Sequence, residues 1–148
     1  MKISYLESTK LGSKETITME DIEGGIETIL VAEDDTEMRQ LITDILESGG
    51  YVVIGTENGE SAVETYASRK YKIDLVILDM VMPKMGGSDA FRKLKEIDPD
   101  VQVLLSSGYT QNERGGLDAG VAGFLAKPYR ILELLETVRM VLKKGRKS

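Results

Sequence analysis

The chain has 148 residues, 41% of them apolar, which suffices for one domain with a real core and some additional segments. A formal net charge of -6 and a sequence pI near 4.8 argue against nonspecific nucleic-acid binding and against an anionic membrane surface. The absence of cysteine and histidine excludes disulfides, zinc-thiolate sites, a Ser-His-Asp triad and a histidine base or metal ligand within the chain, leaving carboxylates, hydroxyls, lysine and a metal to carry any chemistry.

Residues 1–26 show no apolar period and end in Gly24-Gly25, so they read as a flexible tail or linker, with a short helix near Met19-Glu20-Asp21-Ile22 as the rival reading. The domain is expected over 27–143 and a basic tail over 144–148. Met1 to Tyr5 lack the apolar stretch of a signal peptide and no run is long enough to cross a bilayer, so a cytoplasmic location is expected.

From Thr28 onward, strand and helix patterns alternate. Strands are expected at Ile29–Ala32, Tyr51–Ile54, Leu75–Leu78, Val101–Leu105 and Gly123–Ala126; the first, third and fifth are continuously apolar, as parallel strands covered on both faces are. Met38, Leu41, Ile42, Ile45 and Leu46 mark a first helix stopped by Gly49-Gly50, with Asp35 placed to cap it. Ala62, Val63, Tyr66 and Ala67 mark a second, and Phe91, Leu94 and Ile97 a third that ends before Asp98-Pro99. The fourth, between Gly108 and Gly120, is interrupted by Gly115-Gly116 and is expected to be the least stable. Ile131, Leu134, Leu135, Val138 and Leu142 form the stripe of the last. The pattern gives an α/β fold, a doubly wound five-stranded parallel sheet of (βα)5 type.

In such sheets ligands bind beyond the carboxyl ends of the strands. Glu33-Asp34-Asp35 follow the first strand, Asp79 the third, Ser106 and Ser107 the fourth and Lys127 the fifth. A carboxylate placed directly after a buried apolar run is costly and usually has a task. Acids and a base gathered at one edge suit a divalent cation and a phosphoryl group. Taken singly, these residues have plainer readings: strand-end acids cap helices, most lysines are surface residues, Ser107 is a turn hydroxyl and Phe124 is core.

The runs Val31-Ala32-Glu33-Asp34-Asp35, Leu78 to Gly87, Leu105-Ser106-Ser107-Gly108-Tyr109 and Gly123 to Tyr129 together resemble the four signatures of response-regulator receiver domains, over about residues 28–143. The resemblance implies a flavodoxin-like receiver fold with Asp79 as phosphoacceptor and Glu33 and Asp34 holding Mg2+. It implies a Lys127 that pairs with the phosphoryl group, Ser107 as hydroxyl switch, Phe124 as aromatic switch and a cis Lys127-Pro128 bond. Asp34, Asp79 and the Val81 backbone carbonyl would coordinate the ion directly, with Glu33 reaching it through water. In this family the residues at Val81 and Tyr109 tune dephosphorylation. Glu33 and Ser107 depart from the frequent aspartate and threonine, and Gly86 from a frequent aspartate. The implied protein is a phosphorelay component that catalyses only its own phosphorylation and dephosphorylation, and is not an enzyme. Its donor is a histidine kinase or histidine phosphotransfer protein, its effector another chain or part of a longer parent, and a homodimer is compatible with this. Gly25 to Val31 resembles the junction ahead of C-terminal receivers in hybrid histidine kinases; a stand-alone regulator is the rival. Three other functions compete. A haloacid-dehalogenase-like phosphohydrolase needs an acid where Val81 stands. A flavodoxin-like cofactor binder needs a phosphate loop that is missing after the first strand. A degenerate receiver is at odds with the intact acid, hydroxyl and lysine set.

Overall fold

The computed structural model describes residues 22–108 and 120–145. The expected fourth helix, Gly115-Gly116 and Tyr109 lie outside the described residues. Five strands form one parallel sheet: β1 (Thr28–Ala32), β2 (Val52–Thr56), β3 (Leu75–Asp79), β4 (Val103–Ser107) and β5 (Gly123–Ala126), in the order β2-β1-β3-β4-β5. Four described helices cover it: α1 (Thr36–Ser48), α2 (Gly59–Ser68), α3 (Gly87–Ile97) and α4 (Ile131–Gly145).

Side chains alternate along each strand, so the sheet buries two separate cores. On one face Ile29, Val31, Leu75, Ile77, Leu104 and Leu125 pack with the apolar stripes of α1 and α4. On the other Leu30, Ala32, Val76, Leu78, Val103 and Leu105 pack with Ala62 of α2 and Ala90, Phe91 and Leu94 of α3. The helix ends carry local signals. Asp35 caps α1 by accepting a bond from the Met38 amide, and Asn58 caps α2 by accepting from Ser61. After α1 the chain turns at Gly50, whose φ of +100° favours glycine.

Two expectations need correction. The strands buried throughout are β3 and β4, with β1 nearly so; β5 is a sheet edge, with Gly123 and Phe124 only partly covered and Ala126 exposed. A run as short as Gly-Phe-Leu-Ala does not reveal whether a strand is central or at an edge, because topology decides that. Strands β2 and β4 also begin one and two residues later than expected and run on to Thr56 and Ser107, so Ser106 and Ser107 belong to β4 itself. The ladder rather than apolarity sets these ends: Met80 N–H donates to the Ser106 carbonyl and Lys127 N–H to that of Ser107.

Of the segment before the sheet, residues 22–26 are described and lie on the domain. Ile22 packs against the α1/α4 core, and Gly25 N–H donates to the Gly49 carbonyl. Arg139 of α4 donates to the Gly24 carbonyl and reaches the Glu27 carboxylate at 2.9 Å.

Candidate functional site

The strand order reverses between β1 and β3, and the carboxyl ends of these two strands carry the acids. Register then decides what meets. Ala32 pairs with Leu78, so Glu33 extends β1 alongside Asp79. Asp79 pairs with Ser106, Ser106 with Leu125, and Lys127 lies two residues beyond Leu125. All four polar residues therefore project from the α1/α4 face of the sheet. A slip of one residue in any strand would bury its member in the other core.

The Lys127 ammonium stands 3.1 Å from Asp79 Oδ2 and 3.0 Å from Glu33 Oε1. Asp79 is 6% exposed and Glu33 1%, whereas Asp34 is exposed. Burial pushes the Glu33 carboxyl above its ordinary range, and the Asp79 charge adds to this against the opposing pull of Lys127 and of the Asp35 amide. Burial works to lower Lys127, but the Glu33 and Asp79 carboxylates outweigh it and hold the ammonium above the ordinary lysine range. The Lys127-Pro128 bond is cis.

Carboxylate oxygens of Glu33, Asp34 and Asp79 lie within 4.8 Å of one another. One ammonium, shared between Glu33 Oε1 and Asp79 Oδ2, faces three acids, so the cluster keeps residual negative charge. An all-oxygen set with residual negative charge fits a hard divalent cation. These groups open onto a cleft of about 500 Å³, also lined by Val81, Ser107 and Lys127. Ser107 pairs with Ala126 and Leu105 with Phe124, so Ser107 and Phe124 are diagonal neighbours on the α2/α3 face. Phe124 packs there against the core.

Close backbone approaches hold the third strand end. Gly87 opens α3 directly over Asp79: a Cβ at this position would lie 2.6 Å from the Asp79 carbonyl oxygen. Gly87 N–H donates to the Met80 carbonyl. Two contributions were not anticipated from sequence. Arg39 of α1 donates to the Glu33 carbonyl at 2.6 Å, fixing the acidic loop. Ser106 and Tyr129 share a hydroxyl–hydroxyl hydrogen bond behind the site. Arg39 interrupts no pattern on its helix, and a tyrosine after Lys-Pro reads as ordinary core, so the only available signal was position.

A receiver-like (βα) sheet with an acid-acid-lysine cluster at its switch point defines a class, and the comparisons agree. The family description "Response regulator receiver domain" matches residues 29–139. The chemotaxis protein CheY of Bacillus subtilis is 34% identical over 117 residues, 77% of this chain and 96% of that protein. The sensor kinase CckA of Brucella abortus is 34% identical over 122 residues, 81% of this chain but 13% of the kinase. Among solved structures, the response regulator TrrA of Thermotoga maritima, in complex with Mg2+-BeF, aligns with a TM-score of 0.72 at 28% identity, covering 78% of this chain and 99% of that one. The chain belongs to the response-regulator receiver domain family of two-component signalling. Among its described residues no helix is long and apolar enough to cross a membrane.

Proposed function

We propose that this chain is a phosphoacceptor switch that takes a phosphoryl group from a phosphohistidine onto Asp79. The observation that carries the proposal is the buried Asp79 carboxylate held against Lys127 inside a three-acid cluster at the switch point. An Asp79 oxygen forms the new P–O bond while the P–N bond of the donor breaks, and its electron pair leaves with the imidazole nitrogen. The chain contains no histidine, so the donor is another protein or another part of a longer one: a histidine kinase or a histidine phosphotransfer protein, met in the cytoplasm. Catalysis of such a transfer is mostly positioning and charge neutralisation. Lys127 pairs with the developing phosphoryl charge. Glu33, Asp34, Asp79 and the Val81 carbonyl are the groups that would hold Mg2+, which when bound neutralises phosphoryl oxygens.

Ser107 turns toward the phosphoryl group, and Phe124, its diagonal neighbour, follows into the space released. This shifts a pre-existing equilibrium. Val81 and Tyr109 offer no acid or amide to orient a hydrolytic water, which favours a long-lived acyl phosphate. The match to 13% of CckA fits a receiver within a longer parent, and the match to 96% of CheY fits an effector on a separate protein.

Mass spectrometry after incubation with Mg2+ and acetyl phosphate tests this reading. One phosphoryl group should add to the parent and none to Asp79→Asn or in EDTA, and the label should outlast that on Val81→Asn once the donor is removed. Equal labelling of Asp79→Asn, or indifference to EDTA, sinks the assignment.

A further inference from the structure

Ser106 and Tyr129 take no part in the transfer just described, yet both are turned toward the groups that do. Ser106 is fully buried and is the ladder partner of Asp79. Its hydroxyl bonds the Tyr129 hydroxyl, 23 residues further along the chain. Tyr129 packs on the α1/α4 core beside Ile131. Burial pushes its phenol up to about 12, so it keeps its proton at any physiological pH. Two residues before it, Lys127 N–H donates to the Ser107 carbonyl at 3.1 Å. The segment Lys127-Pro128-Tyr129 is thus fastened to adjacent residues of β4 at both ends, and the lysine side chain leaves from between the two fastenings.

We propose that the Ser106–Tyr129 hydroxyl pair is a brace that holds Lys127 in place against Asp79 and Glu33, making both hydroxyls positioning residues for phosphoryl transfer. This rests on the phosphoacceptor reading above and extends it to two residues to which the resemblance assigns no role. The reasoning is geometric. A lysine is a point charge on a long flexible stem, and it directs charge only as well as its backbone is fixed. The backbone bond to Ser107 fixes the start of the segment but not its rotation about that point. A second fastening two residues on removes that freedom, and the ammonium stays within 3.1 Å of both carboxylates. Truncating either hydroxyl leaves the ring and its packing intact while releasing the segment.

The test compares the full chain with Ser106→Ala, Tyr129→Phe and the double variant, each checked for folding by its urea midpoint. The labelling rate with acetyl phosphate and Mg2+ should fall about tenfold in each single variant, the loss of one positioning hydrogen bond. The double variant should lose no more than either single one, because both act through one bond. In the metal-free protein, acetic anhydride should modify Lys127 severalfold faster in the variants than in the parent, with Lys143 as an unchanged internal reference. That readout follows the position of the lysine and does not depend on turnover. If a folded Tyr129→Phe labels at the parent rate, or if Lys127 reactivity is unchanged, the brace is overturned. Losses that add in the double variant overturn it as well. A parent chain that takes no label overturns the phosphoacceptor reading itself and this proposal with it, so the two failures are distinguishable.

Discussion

Glu33 shows most sharply what the site costs the fold. Its carboxyl is buried beside a second buried acid, and the two share the Lys127 ammonium. Tyr66 with Asp98 is the contrasting case, a half-buried acid whose partner is a neutral hydroxyl. The Tyr66 hydroxyl donates to Asp98 Oδ2 at 2.7 Å, and this bond holds the Asp98 carboxyl below its ordinary value of 3.8 despite partial burial. A depressed folded value gives stability that is complete above 3.8 and lost as pH falls through the folded value. Tyr66→Phe should therefore cost about 1 kcal/mol at pH 7, the low end for a bond to a charged group because Asp98 is partly exposed. The cost should shrink as pH falls below 3.8, as measured by urea melts at neutral and at acid pH; an equal cost at both would show that ring packing rather than the bond is responsible. At this scale Asp79, Glu33 and Lys127 were legible in the sequence, because each is a charge stranded at the end of an apolar run. The Ser106–Tyr129 and Tyr66–Asp98 pairs were not. Each joins residues more than twenty positions apart through at least one uncharged hydroxyl, and only register and helix packing bring them together.

Elements sort the acids into structural and chemical ones. Three consecutive acids follow β1, and the element behind them assigns their tasks. Asp35 is the N-cap of α1, its Oδ1 3.0 Å from the Met38 amide, whereas Asp34 makes no such cap and joins the carboxylate cluster. Asp35→Ala should cost about 1 kcal/mol in stability and keep phosphoryl labelling. Asp34→Ala should do the reverse, with labelling lost and the urea midpoint unchanged or raised, since it removes one charge from a repelling group. Labelling lost in both would mean that the cap and the site cannot be separated. Helix α1 was readable from its stripe, its cap and its terminal glycines, because helix ends are encoded locally. Strand ends were less readable. The β4 ladder continues through two serines, since pairing with Asp79 on one side and Leu125 on the other satisfies their backbone. The edge position of β5 is a property of strand order and leaves no mark on four residues.

The whole molecule separates two polar clusters by the length of its strands. The carboxyl edge carries the site, and the opposite edge carries a buried ion pair between Arg139 of α4 and Glu27. Arg139 also reaches the Tyr51 hydroxyl and the Gly24 carbonyl, so one side chain joins the last helix, β2's approach and the segment entering β1. A second pair on the same segment, Lys143 with Glu23, is exposed on both sides. The physical consequences of the two pairs differ. Removing one partner of a buried pair leaves the other charged and unsatisfied, so Arg139→Ala should cost about 3–5 kcal/mol. Lys143→Ala should cost at most about 1 kcal/mol, and less in high salt, as solvent screens its pair. Replacing both buried charges together, with Arg139→Met and Glu27→Leu, should recover more than half of the Arg139→Ala loss, because no lone charge remains. Urea denaturation of the four proteins measures these differences. Each variant that folds should still label on Asp79 at the parent rate, since no residue of the pair reaches the carboxyl edge. A double variant as unstable as Arg139→Ala would show that the bonds to Gly24 and Tyr51, rather than the charge pair, hold the entering segment. A slowed labelling rate in that folded double variant would show instead that α4 transmits the state of one edge to the other.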